Sequence, residues 1–315
     1  MLSRTAESLF WTARYIERAD TLARNLEVAY RMSLVPNTSA GNRSEWQSIL
    51  STSNLLEDFK AEYSEVNQAN IEHFLIYSHS NPSSIRNCIR AARNSGKEVR
   101  IALTSDVWSA LNRAYIEFKK FEKSADEIDL PTICDWVKRQ TATVQGSFQG
   151  NQLRLDGYDF YNMGTYIERA DNTARLLDIK YYVLLPTVDM IGGSVDSYQW
   201  TTLLRALSSY RSYYWIYGGD YSADRIADFL VLNSACPRSL RFCITQVAHH
   251  LDMLCSNYGR HSDAQMLALK LREELGTISI AEIVDEGLHE FLQSFISSNN
   301  QLTEKISQSF LFGVQ

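Results

Sequence analysis

Apolar side chains recur at intervals of three and four along most of this chain, and period-two alternation never persists over a useful length. Trp11, Tyr15, Ala19, Leu22 and Leu26 form one stripe near the start. Ile71, Phe74 and Leu75, then Ile85, Ile89 and Ala92, continue the same spacing on either side of Pro82. The pattern predicts an all-α chain of many helices. Five prolines, at positions 36, 82, 131, 186 and 237, punctuate it. Loops are expected at 33–44, 124–132, 145–152, 186–197 and 217–224, where turn-forming residues gather. Ser3 is placed to cap the first helix, with Glu7 early in it where a negative charge suits the helix dipole. The tail from Ser297 is polar with "FLFGV" near its end, a segment that either frays or docks.

Laid over this pattern is a repeat. "YIERADTLAR" occupies Tyr15 to Arg24 and "YIERADNTAR" occupies Tyr166 to Arg175, identical at eight of ten positions. Trp46 in "EWQSIL" matches Trp200 in "YQWTTLL". "FLIYSHSNPSSIRNCI" (74–89) matches "FLVLNSACPRSLRFCI" (229–244) at seven of sixteen positions. Three matches in the same order, with slowly drifting offsets, predict an internal duplication. The expected architecture is a single multi-helix domain over 1–315, built of two similar halves at about 1–150 and 151–315, packed like the two sides of a twofold dimer around a shared core.

On a helical wheel Tyr15, Ala19, Leu22 and Leu26 cluster on one side. Glu17, Asp20 and Arg24 fall on the other, with Arg18 on the flank. Glu168, Arg169, Asp171 and Arg175 repeat the arrangement opposite Tyr166, Ala170 and Leu177. Asp20/Arg24 and Asp171/Arg175 are acid-before-base pairs at the favourable i,i+4 spacing. Three readings follow. A solvated charged face would contribute little, about 0.3–0.5 kcal/mol per pair. A staple would set Glu17 against Arg169 and Glu168 against Arg18, with Ala19/Ala23 and Ala170/Ala174 letting two backbones approach. A cleft of carboxylates and arginines would hold a charged ligand or a partner's carboxylate. The match of every charge between the copies favours the staple over the face.

The second motif, P-x-S-[IL]-R-x-C-I, reads as a helix start capped by Ser84 and by Ser239. Arg86 and Arg241 then fall in a first turn, a poor place for a cation. They imply either an acidic partner, such as the motif glutamates, or an arginine lying over apolar surface.

Composition narrows the function classes. The net charge of -6 and pI near 5.6 disfavour nucleic acid as a partner. No apolar run reaches the ~20 residues of a membrane helix, and "MLSRTAESLF" lacks a signal-peptide core. Five cysteines without CxxC spacing point to buried thiols in a reducing, cytoplasmic setting rather than disulfides or zinc. His249, His250 and His261 lack metal-ligand spacing to Cys243 or Cys255, so no metal is expected. "SSYRSYYWIYGG" (208–219) is either core or a partner-binding surface. No phosphate-cradling, dinucleotide, nucleophile-elbow or zinc-protease motif occurs, so no cofactor is expected and no catalytic residue can be named. Neither substrate nor oligomeric state is written in any motif.

Together "MLSRTAESLFWTARYIERADTLAR", "NPSSIRNCIRAARNSGKEVR" with "VWSALN", "MGTYIERADNTARLLD" and "FLVLNSACPRSLRFC" resemble the alpha-E family of bacterial helical proteins, named for a Glu-Arg motif. Glu17-Arg18 and Glu168-Arg169 would carry that motif here. Thr165 stands where the first copy has Arg14, so any role of Arg14 is one-sided. The resemblance implies a setting rather than a reaction: an accessory protein beside an ATP-grasp-type amide ligase or a transglutaminase-like protein, in amide-bond chemistry on a small peptide or metabolite. The alternative is an enzyme or ligand-binding protein whose Glu/Arg cleft recognises a carboxylate-bearing substrate.

Overall fold

In the computed structural model, residues 1–34, 46–47, 49–50, 55–182 and 194–313 are described. The loops expected at 33–44 and 186–197 fall mostly outside them. The described residues form fourteen α-helices and no strand.

Helix α1 (Ser3–Ser33) contains no glycine or proline and runs for 31 residues. After it come α2 (Leu56–Glu62) and α3 (Gln68–Glu72), the latter passing into a π-helical turn at His73–Tyr77. Next are α4 (Ile85–Glu98), α5 (Ser105–Lys123), α6 (Leu130–Asn151) and α7 (Asp156–Tyr182). The chain continues through α8 (Ser194–Ala206), α9 (Tyr210–Tyr217), α10 (Ala223–Val231) and α11 (Leu240–Tyr258). It closes with α12 (Asp263–Thr277), α13 (Ile280–Glu286) and α14 (Leu288–Ser309).

Local chemistry sets most of the boundaries. Ser84 and Ser239 cap α4 and α11 by accepting from the backbone N–H of Asn87 and Phe242, as the repeated motif predicts. Asp129 caps α6, with Pro131 in its first turn. Gly259, at φ +64°, ends α11 in the left-handed conformation that glycine tolerates. Ser3 does not cap α1. It lies inside the helix, whose cap position is Leu2 and has no side-chain bond. The loop expected at 145–152 is instead the last two turns of α6. Phe148 is fully buried there, and this packing outweighs the ~1 kcal/mol helix penalty of each glycine.

Helices α1 and α7 make the most extensive contact in the molecule. Gly164, within α7, makes the closeness possible: a Cβ there would lie 2.3 Å from the carbonyl oxygen of Phe10. Ala19 and Ala23 belong to the apolar cluster that holds Cys88, Ala114 and Ile133, and Ala170 and Ala174 to the one that joins Phe10 of α1 to residues of α8–α14. Helix α1 contributes to every apolar cluster, through Phe10, Leu22, Leu9 and Val28 respectively. The tail docks. Phe310 packs edge-on against Phe160, Phe312 lies against Phe10, and the Gly313 N–H donates to Glu7. No helix among the described residues is long and apolar enough to cross a membrane.

Candidate functional site

The central helix pair carries the repeated decapeptide on both members, and its charges are buried. Glu17 is fully buried and Glu168 is 2% exposed, which rules out a solvated face. The two glutamates are held reciprocally. Arg169 grips Glu17 through Nε at 2.8 Å and Nη2 at 2.9 Å. Arg18 grips Glu168 through Nε at 2.6 Å and Nη2 at 3.1 Å. Both contacts are bidentate, the strongest geometry an arginine and a carboxylate can make. The i,i+4 pairs form as well: Arg24 on Asp20 at 2.6 Å and Arg175 on Asp171 at 2.7 Å.

Around this common frame the two sides differ. On the Glu17 side, Arg238 spans two carboxylates, reaching Glu17 Oε1 at 3.2 Å and Asp20 Oδ2 at 3.0 Å. Gln145 of α6 donates to Glu17 Oε2 at 2.8 Å, and Thr141 donates to Asp20 at 3.0 Å. On the Glu168 side, Arg14 takes Oε2 at 2.7 Å, with its guanidinium 4.9 Å from the Trp11 ring centroid. The residue matched to Arg238 in the repeated P-x-S motif is Ser83, too short to bridge anything but Arg18, at 3.5 Å.

A cavity of about 290 Å³ opens on the Glu168 side. Arg14, Arg18, Ser83, Glu168, Asp171 and Arg175 supply its charged and hydroxyl wall, with Asn25 beside them. Its volume is near the lower end for small-ligand pockets. The buried Oδ1 of Asn25 has no hydrogen-bond partner among the described residues. Glu17 and Arg238 do not line the cavity. A wider hollow of about 760 Å³ at Tyr30, Trp46 and Asn67 contains none of the motif residues.

Electrostatics lock the carboxylates in the ionised form. Burial pushes Glu168 upward, but Arg18 and Arg14 outweigh it and bring the group down to about 2. Burial likewise acts against Glu17, and Arg169 and Arg238 again leave it below its usual value. Burial lowers the Arg238 value, as do the like charges of Arg169 and Arg24. Burial drives the thiols of Cys88 and Cys243 up to about 12, which removes them as nucleophiles near neutrality.

Eight of the ten residues expected in the polar cluster are therefore brought together, and two are not. Arg86 pairs with Glu122 of α5 and with Asn87. Among the described residues the Arg241 side chain reaches only the Leu232 carbonyl, at 3.5 Å. Each lies in the first turn of its helix, and it is the residue three positions earlier, Ser83 or Arg238, that reaches the motif arginine or carboxylates. The sequence reading missed Arg238, Gln145, Ser83 and Asn25. For Arg238, Ser83 and Asn25 the signal lay in mismatches between copies, Ser83 against Arg238 and Asn25 against Leu176, whereas Gln145 lies outside the repeated segments. The histidines are likewise outside the cluster: His250 pairs with Asp159 at 2.8 Å. Among the described residues no group of His, Cys, Asp and Glu could hold a metal. All five cysteines are free and buried. The 208–219 aromatic stretch divides: Tyr213 is core, while Tyr214, Trp215 and Ile216 face outward.

Fold and site define an all-helical protein in which two matching Glu-Arg segments clamp one another at the centre. The chain belongs to the Alpha-E family, described as a predicted alpha-helical domain with a conserved ER motif, which it matches over residues 1–311. No curated protein and no solved structure matches it.

Proposed function

We propose that this chain is a ligand-recognising accessory protein, without a catalytic centre of its own, that works in a reducing compartment beside an ATP-grasp-type amide ligase or a transglutaminase-like protein. In this reading its two halves are copies of one ancestral unit. One copy's cavity takes a small carboxylate-bearing ligand. The observation that carries the reading is the cavity at Arg14. Its Nε holds Glu168, while its two terminal nitrogens make no hydrogen bond among the described residues. A guanidinium edge beside a cavity, with Arg18 next to it, suits an incoming carboxylate.

The enzymatic alternative has less support. A carboxylate held at about 2 is a poor general base near neutral pH. The buried thiols offer no nucleophile, and the Glu17 half of the cluster is closed.

The test is reconstitution of amide-bond formation by the partner ligase over a panel of amino acids and dicarboxylates, with and without this protein. Faster turnover and co-purification are expected. Arg14→Thr, which installs the residue of the second copy, should abolish the stimulation without unfolding the chain. Unchanged turnover together with no complex on mixing would overturn the proposal.

A further inference from the structure

The two sides of the cluster can be compared contact by contact, and the comparison is specific about what the cavity lacks. Glu17 Oε1 accepts from Arg169 Nε and from Arg238 Nη1, and Glu17 Oε2 accepts from Arg169 Nη2 and from Gln145. Glu168 Oε2 is matched in full, by Arg18 Nη2 and Arg14 Nε. Glu168 Oε1 accepts from Arg18 Nε alone among the described residues. Asp20 takes Arg24, Thr141 and Arg238, whereas among the described residues Asp171 takes only Arg175. The unmatched acceptors, Glu168 Oε1 and the Asp171 carboxylate, correspond to the two that Arg238 bridges on the other side. Ser83, the residue aligned with Arg238, lines the same cavity and stops short of both.

We infer that the cavity binds a small molecule carrying a guanidinium group, which sits where Arg238 sits on the opposite side and bridges Glu168 and Asp171. A planar fork suits two neighbouring carboxylates better than a point charge. The Oδ1 of Asn25, buried and without a partner, is a further acceptor on the cavity wall, at a position where the other copy has the apolar Leu176.

Charge balance then fixes the rest of the ligand. Among the described residues that line the cavity, Arg14, Arg18 and Arg175 against Glu168 and Asp171 give one net positive charge. The opposite side reaches the same value only with Arg238 included, alongside Arg24, Arg169, Glu17 and Asp20. A guanidinium alone would add an uncompensated cation. A guanidinium and a carboxylate on one short chain would keep the balance, with the carboxylate on the terminal nitrogens of Arg14. The ligand class is therefore a guanidino acid. The carboxylate end rests on the reading under Proposed function, whereas the guanidinium end rests on the comparison of the two sides.

Calorimetric titration of the full chain separates the two. 4-Guanidinobutyrate, which has both groups, should bind at least about tenfold more tightly than glutarate, which has carboxylates only, or methylguanidinium, which has the cation only. Ser83→Arg should fill the site from within, abolish binding and raise the melting temperature. If that variant does not fold, Asp171→Asn decides: it should erase the advantage of 4-guanidinobutyrate over glutarate. Glutarate binding as tightly as 4-guanidinobutyrate would overturn the guanidinium site and leave the carboxylate reading standing. Methylguanidinium binding as tightly would do the reverse. Binding of none of the three would overturn both, and an undiminished guanidinium preference in Asp171→Asn would sink the bridge.

Discussion

Glu17 holds two guanidinium groups in a fully buried setting, so among the described residues its removal leaves Arg169 without a carboxylate and Arg238 with Asp20 alone. Glu17→Gln keeps the volume and should cost about 3–5 kcal/mol, read as a fall in chemical-denaturation stability. Arg86→Ala breaks a part-exposed pair with Glu122 and a hydrogen bond to Asn87, and should cost about 1 kcal/mol. Equal losses for the two variants would mean that the central pairs are no stronger than peripheral ones. Acid should undo the same lock. The Glu168 value is depressed in the fold, so its contribution is fully present above the ordinary carboxylate range. It is lost as the pH falls from about 4.5 toward about 2. A stability–pH curve for wild type should decline through that window, and Glu168→Gln should flatten part of the decline. The reciprocal pairs were legible in the sequence because the decapeptide occurs twice with every charge intact. Arg238 and Ser83 were not, because a search for likeness passes over the position between the proline and the serine of the motif, where the copies disagree.

Among the helices, α1 and α7 approach so closely that one methyl group has no room at Gly164, with Phe10 backbone in the way and Ala13 Cβ at 3.2 Å. Gly164→Ala improves intrinsic helix propensity yet should destabilise by about 3 kcal/mol, since a neighbouring backbone cannot give way. Gly150, near the end of α6, has nothing within 4 Å of a built Cβ. Gly150→Ala should therefore stabilise by about 0.5–1 kcal/mol. Thermal melts of the two variants should shift in opposite directions, and a neutral Gly164→Ala would refute the close-approach account. Helix identity was readable from apolar spacing, and the caps at Ser84 and Ser239 from the repeated motif. What spacing did not show is which side of a helix faces a neighbour when all sides do. Helix α1 buries Glu17, Asp20 and Arg14 as well as its apolar stripe, so an amphipathic reading of it was bound to leave the charges outside.

At the scale of the whole molecule, α1 threads every apolar cluster, and the docked tail at Phe310 and Phe312 leans on Phe10 of the same helix. Loss of α1 packing should therefore be felt everywhere at once rather than in one half. Two thiols offer a way to time this. Cys88 and Cys243 occupy matching places in the two occurrences of the P-x-S motif. Each is shut inside its own cluster, and each hydrogen-bonds a carbonyl of its own capping turn, Ser83 and Pro237 respectively. Neither can meet a soluble alkylating reagent until its surroundings open, so each acts as a clock for its own cluster. Alkylation followed by peptide mass mapping should give the two sites the same slow rate, with the rates accelerating together on mild denaturation. A Cys243 that reacts long before Cys88 would reveal two separately breathing bodies joined only by their clasped arginines.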